Sequence, residues 1–246
     1  MLPRRPRYSE SEEHTWTQLY TRHWLRVERV GCRPFIDGMH QLGIRAHRIP
    51  TLRSVSDRLR HESQWSLVHT DRMMPVRVFF QSLANRRLPV ADTIRGPGPR
   101  RADDMPDVFG SLFGQAPLLT HPAYGHFLQR LGAASIRADE PGLMALTRVY
   151  WCTVKLGLVR DRAALKVFGS SLMSDSVELA RALRPRTYIH SFDLDAMAGR
   201  PIDCSDARSD YYEMPSFEEL ALYFERWAIG RDFFNEARPV LPPALF

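Results

Sequence analysis

Lys155 is one of only two lysines in a chain of 246 residues, and it follows Trp151 by four positions. On an α-helix that spacing puts an ammonium beside an indole on one face. A lysine in an apolar pocket can lose its proton, and so shuttle protons or orient a substrate. The alternative is a structural ion pair, for which Asp103, Asp107 and Glu178 are available. Arg95 offers a guanidinium fork, a shape that binds carboxylates through two donors at once. Two other groups carry less. His121 and His126 stand five apart, a poor α-helical spacing for a shared metal, so they read as structural or surface histidines. Cys32, Cys152 and Cys204 make no CxxC pair and fit reduced thiols better than a disulfide frame or a zinc site.

These side chains need a scaffold, and the periodicity predicts a mainly α one. A helix is expected over 9–30, with Ser9 or Ser11 as N-cap and Trp16, Leu19, Tyr20, Trp24 and Val27 along one face. Further helices are expected over 31–42 and over 51–61 from Thr51. Pro75 opens another, with Val78, Phe79 and Leu83 together on a face. Gly and Pro punctuate 95–106 too densely for regular structure. Pro106 then opens a helix to about 114, followed by helices over 121–131 and 141–158. Short strands are expected at 164–169 and 186–193. A last helix starts at Ser216, where Glu219 completes a capping box.

Composition narrows the class. Apolar residues make up 44% and charged residues 25%, the balance of a folded globular chain. No apolar run approaches the roughly 18 residues that cross a bilayer, and the basic N-terminus has no apolar stretch after it, so a cytoplasmic protein with no membrane partner is expected. The net charge of +6 is scattered, clustering only in the first seven residues and at Arg95, Arg100 and Arg101, which argues against a nucleic-acid partner.

Four segments, in order and register, carry a family resemblance: EEHTWTQLYTRH at 12–23, FFQSLANRRLPVADTIRGPG at 79–98, MPDVFGSLFGQAPLLTHPAY at 105–124, and VYWCTVKLGLV at 149–159 with LKVFGSSLMSDSVEL at 165–179. The chain resembles the pterin-dependent aromatic amino acid hydroxylases of the bacterial phenylalanine hydroxylase type. The resemblance implies a mainly α fold with a small β component, as a single catalytic domain over 1–246 without a regulatory domain. In that family two histidines and one carboxylate hold an iron. Here the corresponding positions are Gly110, Gln115 and Lys155. A hydrogen, a neutral amide and a cation are not that ligand set. Ser111 stands where the family has a glutamate that bonds the pterin. The expected cofactor complement is therefore none: no iron, with pterin binding put in doubt.

The rest of the implied pocket is kept. Arg95 matches the arginine that clamps the substrate carboxylate. Trp151 and Pro106 match contacts to the substrate ring, Phe79 the ring that stacks on pterin, and Ser174 a serine on the substrate side. Phe79 also reads as plain core packing, because Phe80 adjoins it on an apolar face. Ser170 and Ser171 replace small residues after Gly169, and Asp103 replaces a threonine that contacts substrate. Such a pocket suits a metal-independent enzyme acting on an aromatic L-amino acid, tryptophan or a derivative. One reaction that meets the requirements is Pictet–Spengler condensation with an aldehyde in specialised metabolism. Asp103 or Lys155 would be the acid/base group, and Gln115 or Ser174 a hydrogen-bond partner. The alternatives are a non-catalytic pseudo-hydroxylase that binds an amino acid or a partner enzyme, and an iron hydroxylase with rearranged ligands. Nothing in the sequence sets the oligomeric state.

Overall fold

The first helix begins as its capping chemistry dictates. Ser9 accepts from Glu12 N, and the Glu12 carboxylate returns the bond to Ser9 N, so α1 runs Glu10–Val30 with Trp16, Leu19, Tyr20, His23 and Val27 turned inward. The chain is seen in a computed structural model that describes residues 8–71, 73–96, 107–161, 164–200 and 210–234. After α1 come α2 (Arg33–Gln41), α3 (Leu52–Ser63, capped by Thr51), β1 (Ser66–His69), α4 (Val76–Ala84) and β2 (Arg87–Val90). The middle of the chain holds a π-helical segment, Gly110–Gln115, a 3₁₀ segment, Ala116–Thr120, then α5 (Pro122–Arg137) and α6 (Glu140–Tyr150). A second π-helical segment, Trp151–Lys155, continues α6. The last third contains β3 (Leu158–Asp161), β4 (Ala164–Val167), α7 (Ser170–Ser174), α8 (Ser176–Ala182), β5 (Ile189–Ser191), α9 (Leu194–Gly199), β6 (Tyr211–Met214) and α10 (Phe217–Gly230).

The strands form two small sheets. β1 and β2 pair in parallel, joined by α4. The second sheet has the order β4-β3-β6-β5; only β3 and β4 are antiparallel. The mainly α architecture with a small β component is thus as expected. Some boundaries differ. α6 was expected to run through to 158, but it loosens at Trp151 and the chain is already in β3 at Leu158. β1, β2, β3, β6 and the short helices α7, α8 and α9 were not foreseen, because four to seven residues carry too little periodicity. α4 turns Arg77, Phe80 and Leu83 to the core, whereas Val78 and Phe79 are half-buried. Asp103 and Pro106 lie outside the described residues.

The helices around the site pack at backbone distance. A Cβ on Gly132 of α5 would come 2.5 Å from Ala84 N and 2.7 Å from Phe80 O, so α4 and α5 could not approach as they do with a larger residue there. Arg77, 5% exposed, locks the same pair. Its Nη1 donates to Ser135 O at 3.1 Å and Ala138 O at 2.9 Å, satisfying carbonyls at the end of α5, while Nη2 meets Glu140 Oε1 at 2.7 Å. Among the described residues no helix is long and apolar enough to cross a membrane.

Arg77 should stabilise the fold through the carbonyls rather than through the exposed Glu140. Arg77→Met, which keeps the stem, is expected to cost about 3 kcal/mol in urea denaturation, and Glu140→Gln less than about 1 kcal/mol. Equal losses from the two variants would contradict this assignment.

Candidate functional site

Two π-helical segments place the residues singled out in the sequence. In a π-turn the N–H reaches five residues back, so side chains five apart share a side. Ala116 N–H donates to Ser111 O, and Leu156 N–H donates to Trp151 O at 3.0 Å. Gly110 and Gln115 are therefore the first and last residues of one such segment, and Lys155 the last of the other. The first segment is held against α7 by Gly114, where a Cβ would lie 2.7 Å from Ser170 O and 3.1 Å from Ser174 Oγ.

One half of the site is built on Asp107, 3% exposed. Its Oδ2 meets Arg95 Nη1 at 3.1 Å, and its Oδ1 accepts from Gly110 N at 2.6 Å. Arg95 Nη2 donates to the carbonyl of Ser174, and the guanidinium lies 5.3 Å from the centre of the Phe109 ring. Among the described residues the Nε–H of Arg95, which is buried, has no hydrogen-bond partner. Ser174 takes part through its backbone, because its hydroxyl donates to Ser170 O at 2.8 Å. The buried Ser170 hydroxyl has no partner among the described residues.

His23, which carries no local sequence signal, sits beside this half. Its ring packs 5.3 Å from that of Phe109 and 6.2 Å from that of Phe113, and its buried Nδ1 has no partner among the described residues. Burial, reinforced by the positive charges of Arg95, Arg22 and Arg26, pulls its pKa down to about 3. The ring is neutral at pH 7.

The other half gathers on Tyr150, also missed in the sequence because nothing in its local pattern separates it from an ordinary core aromatic. Gln115 Nε2 donates to Tyr150 Oη at 3.3 Å. Lys155 Nζ lies 5.8 Å from the Tyr150 ring centre, and the Phe79 ring meets the same ring edge-to-face at 5.5 Å. Burial raises the Tyr150 phenol well above its usual pKa, against a lowering by the Gln115 bond. Lys155 thus aligns with the residue five before it; the expected pairing with Trp151 assumed an α-helical turn that the π-segment replaces. Trp151 is 36% exposed. Of the acids expected beside Lys155, Asp107 holds Arg95, and Glu178 holds Arg181 at 3.2 Å and accepts from the Tyr211 hydroxyl. His121 and His126 face separate acids of α10, Glu218 at 3.8 Å and Glu225 at 3.9 Å, in keeping with a structural role.

A family model described as the biopterin-dependent aromatic amino acid hydroxylases matches residues 2–235. The chain is 30% identical over 214 residues to the phenylalanine-4-hydroxylase of Pseudomonas aeruginosa, covering 87% of this chain and 81% of that one. It is 28% identical over 224 residues to the tyrosine 3-monooxygenase of Drosophila melanogaster, covering 89% of this chain and 39% of that one. A crystal structure of Chromobacterium violaceum phenylalanine hydroxylase with bound iron(III) and oxidised cofactor 7,8-dihydrobiopterin superposes with a TM-score of 0.84 at 28% identity, over 97% of this chain and 88% of that one.

These matches correct the expectation of a chain without cofactors. The matched family is described as biopterin-dependent, and the matched C. violaceum structure holds both iron and a pterin. For pterin the residues present fit in one respect: Phe79 is half-buried, an aromatic surface on which a ring can stack. For iron, the positions that the resemblance implies, 110, 115 and 155, carry a hydrogen, an amide that donates to Tyr150, and an ammonium, and among the described residues no group of three or more His, Cys, Asp or Glu could hold a metal ion. Those three do not form a two-histidine, one-carboxylate face.

His23 should make the fold acid-sensitive. A folded-state pKa of about 3 lies below the unfolded value, so its contribution is complete above pH 6.5 and is lost as pH falls from 6.5 towards 3. Between pH 7 and pH 5 the loss from this group is roughly 2 kcal/mol. His23→Gln should lose correspondingly less over that interval in urea denaturation. An identical loss in both proteins would show that His23 is not the group.

Proposed function

The chain belongs to the biopterin-dependent aromatic amino acid hydroxylase family, and from that membership and the site geometry we propose that its pocket takes an aromatic L-amino acid by the carboxylate and performs acid–base chemistry on it. The observation behind this reading is the buried Arg95–Asp107 pair. Asp107 fixes one Nη and the Ser174 carbonyl the other, while Nε, on the Nη2 side of the guanidinium, has no acceptor among the described residues. A buried donor without an acceptor costs about 1–3 kcal/mol. A substrate carboxylate on that edge would supply the acceptor in a two-donor geometry.

The reaction we assign is condensation of tryptophan, or a derivative, with an aldehyde. The amine adds to the aldehyde to give a carbinolamine. Loss of water gives an iminium ion, the indole carbon bonds to the iminium carbon, and the ring proton leaves. Lys155 and Gln115 lie beside Tyr150, so the polar groups that proton transfer requires are close together. Trp151, partly exposed, is available to the substrate ring; Asp103 and Pro106 are assigned to the same pocket from the sequence. A second reading, hydroxylation, is favoured by the family and the matched fold. In it Phe79 would carry the pterin, which supplies reducing equivalents to oxygen chemistry.

Tryptophan, phenylalanine and tyrosine are each expected to raise the thermal midpoint of the protein, and Arg95→Ala to abolish that rise. A rise that survives in Arg95→Ala refutes the clamp. Incubation with tryptophan and a panel of aldehydes should give a product of mass equal to the two reactants less one water. Binding without that product leaves an amino-acid-binding protein. A hydroxylated amino acid formed only with ferrous iron and tetrahydropterin would replace condensation by the second reading.

A further inference from the structure

Phe79, Gln115 and Lys155 converge on Tyr150. Tyr150 is 5% exposed, and its hydroxyl is the point to which the Gln115 amide is directed. Because Gln115 Nε2–H donates to the phenol oxygen, the phenol's own hydrogen is left to donate elsewhere. Among the described residues it has no acceptor. The same N–H would stabilise the oxygen as a phenolate, and the Lys155 ammonium lies 5.8 Å from the ring centre. Neither arrangement follows from simple packing, since a phenylalanine would fill the ring's place against Phe79 and Phe80 equally well.

We propose that Tyr150 is the catalytic residue that moves the proton in this pocket, with Gln115 as its positioning residue. The assignment rests on the condensation reading above. In the dehydration step the carbinolamine C–O bond breaks, the Tyr150 proton goes to the departing hydroxide to make water, and the nitrogen lone pair forms the C=N bond. Tyr150 is left as a phenolate beside the iminium ion. The indole then forms the new C–C bond, and the phenolate takes the ring proton, which restores both aromaticity and the phenol. The cycle balances with one amine, one aldehyde and one water, and needs no external acid. Burial, which holds the phenol above its usual pKa, hinders the outward transfer and favours the return, and the Gln115 N–H, which lowers that pKa, offsets part of the hindrance.

The test compares wild type, Tyr150→Phe and Gln115→Leu with tryptophan and an accepted aldehyde. Tyr150→Phe should keep the tryptophan-induced thermal shift, since Arg95 is untouched, and lose about 100-fold or more in turnover. Its remaining reaction should show a larger primary isotope effect with tryptophan deuterated at the ring carbon that loses its proton. A residue that only packs would not change that isotope effect. Gln115→Leu should lose about tenfold, with an isotope effect between those of the other two proteins. Turnover of Tyr150→Phe within about threefold of wild type overturns the assignment and leaves the condensation reading intact. Should Tyr150→Phe fail to fold, an unchanged rate and isotope effect in Gln115→Leu overturns it instead. Absence of condensation product from wild type itself removes both the reading and the assignment.

Discussion

Asp107 is the point on which the site hangs. A carboxylate this deeply buried is tolerable only if its charge is met on both oxygens. Arg95 meets one and the Gly110 N–H, at the mouth of the first π-segment, meets the other. Neutralising Asp107 would leave Arg95 buried with an uncompensated charge and free the start of the π-segment at the same time. The Ser174 carbonyl then ties the guanidinium to α7, so three separate stretches of chain are fixed by one ion pair and its hydrogen bonds.

The π-segments are the second constraint. Each places an extra residue in a turn, costs hydrogen-bond geometry, and persists only where surrounding packing fixes it. Here Gly114 supplies that packing for the first, by admitting α7 to backbone contact. The effect is to bring the ends of two distant segments, Gln115 and Lys155, to one phenol ring. A regular α-helix would have turned each of them by a large fraction of a turn away from Tyr150.

Long amphipathic helices were legible in the sequence because their caps and periodicity agree: Ser9 with Glu12, Thr51, and Ser216 with Glu219 all act as caps in the structure. The short parallel strands were not, since β1, β2, β3 and β6 have four residues each and depend on partners far away in the chain. In the site, the types of Arg95, Gln115 and Lys155 could be read directly, but their neighbours could not. Lys155 was set against Trp151 by an α-helical count, and only the π-turn reveals Tyr150 as its partner. His23 and Tyr150 carry no local signal, because a buried histidine and a buried tyrosine on apolar faces look the same as core filling.

The order of the second sheet also bears on how the molecule is made. β6 lies between β3 and β5 and is parallel to both, so β3, which directly follows the Lys155 segment, lacks one neighbour until residues 211–214 have emerged from the ribosome. Parallel pairing across some fifty intervening residues is a non-local contact, slow to form and sensitive to aggregation while its edges are open. The helices before β3 can assemble earlier during synthesis, whereas the strand that follows Lys155 gains its second neighbour only after β6 has been made.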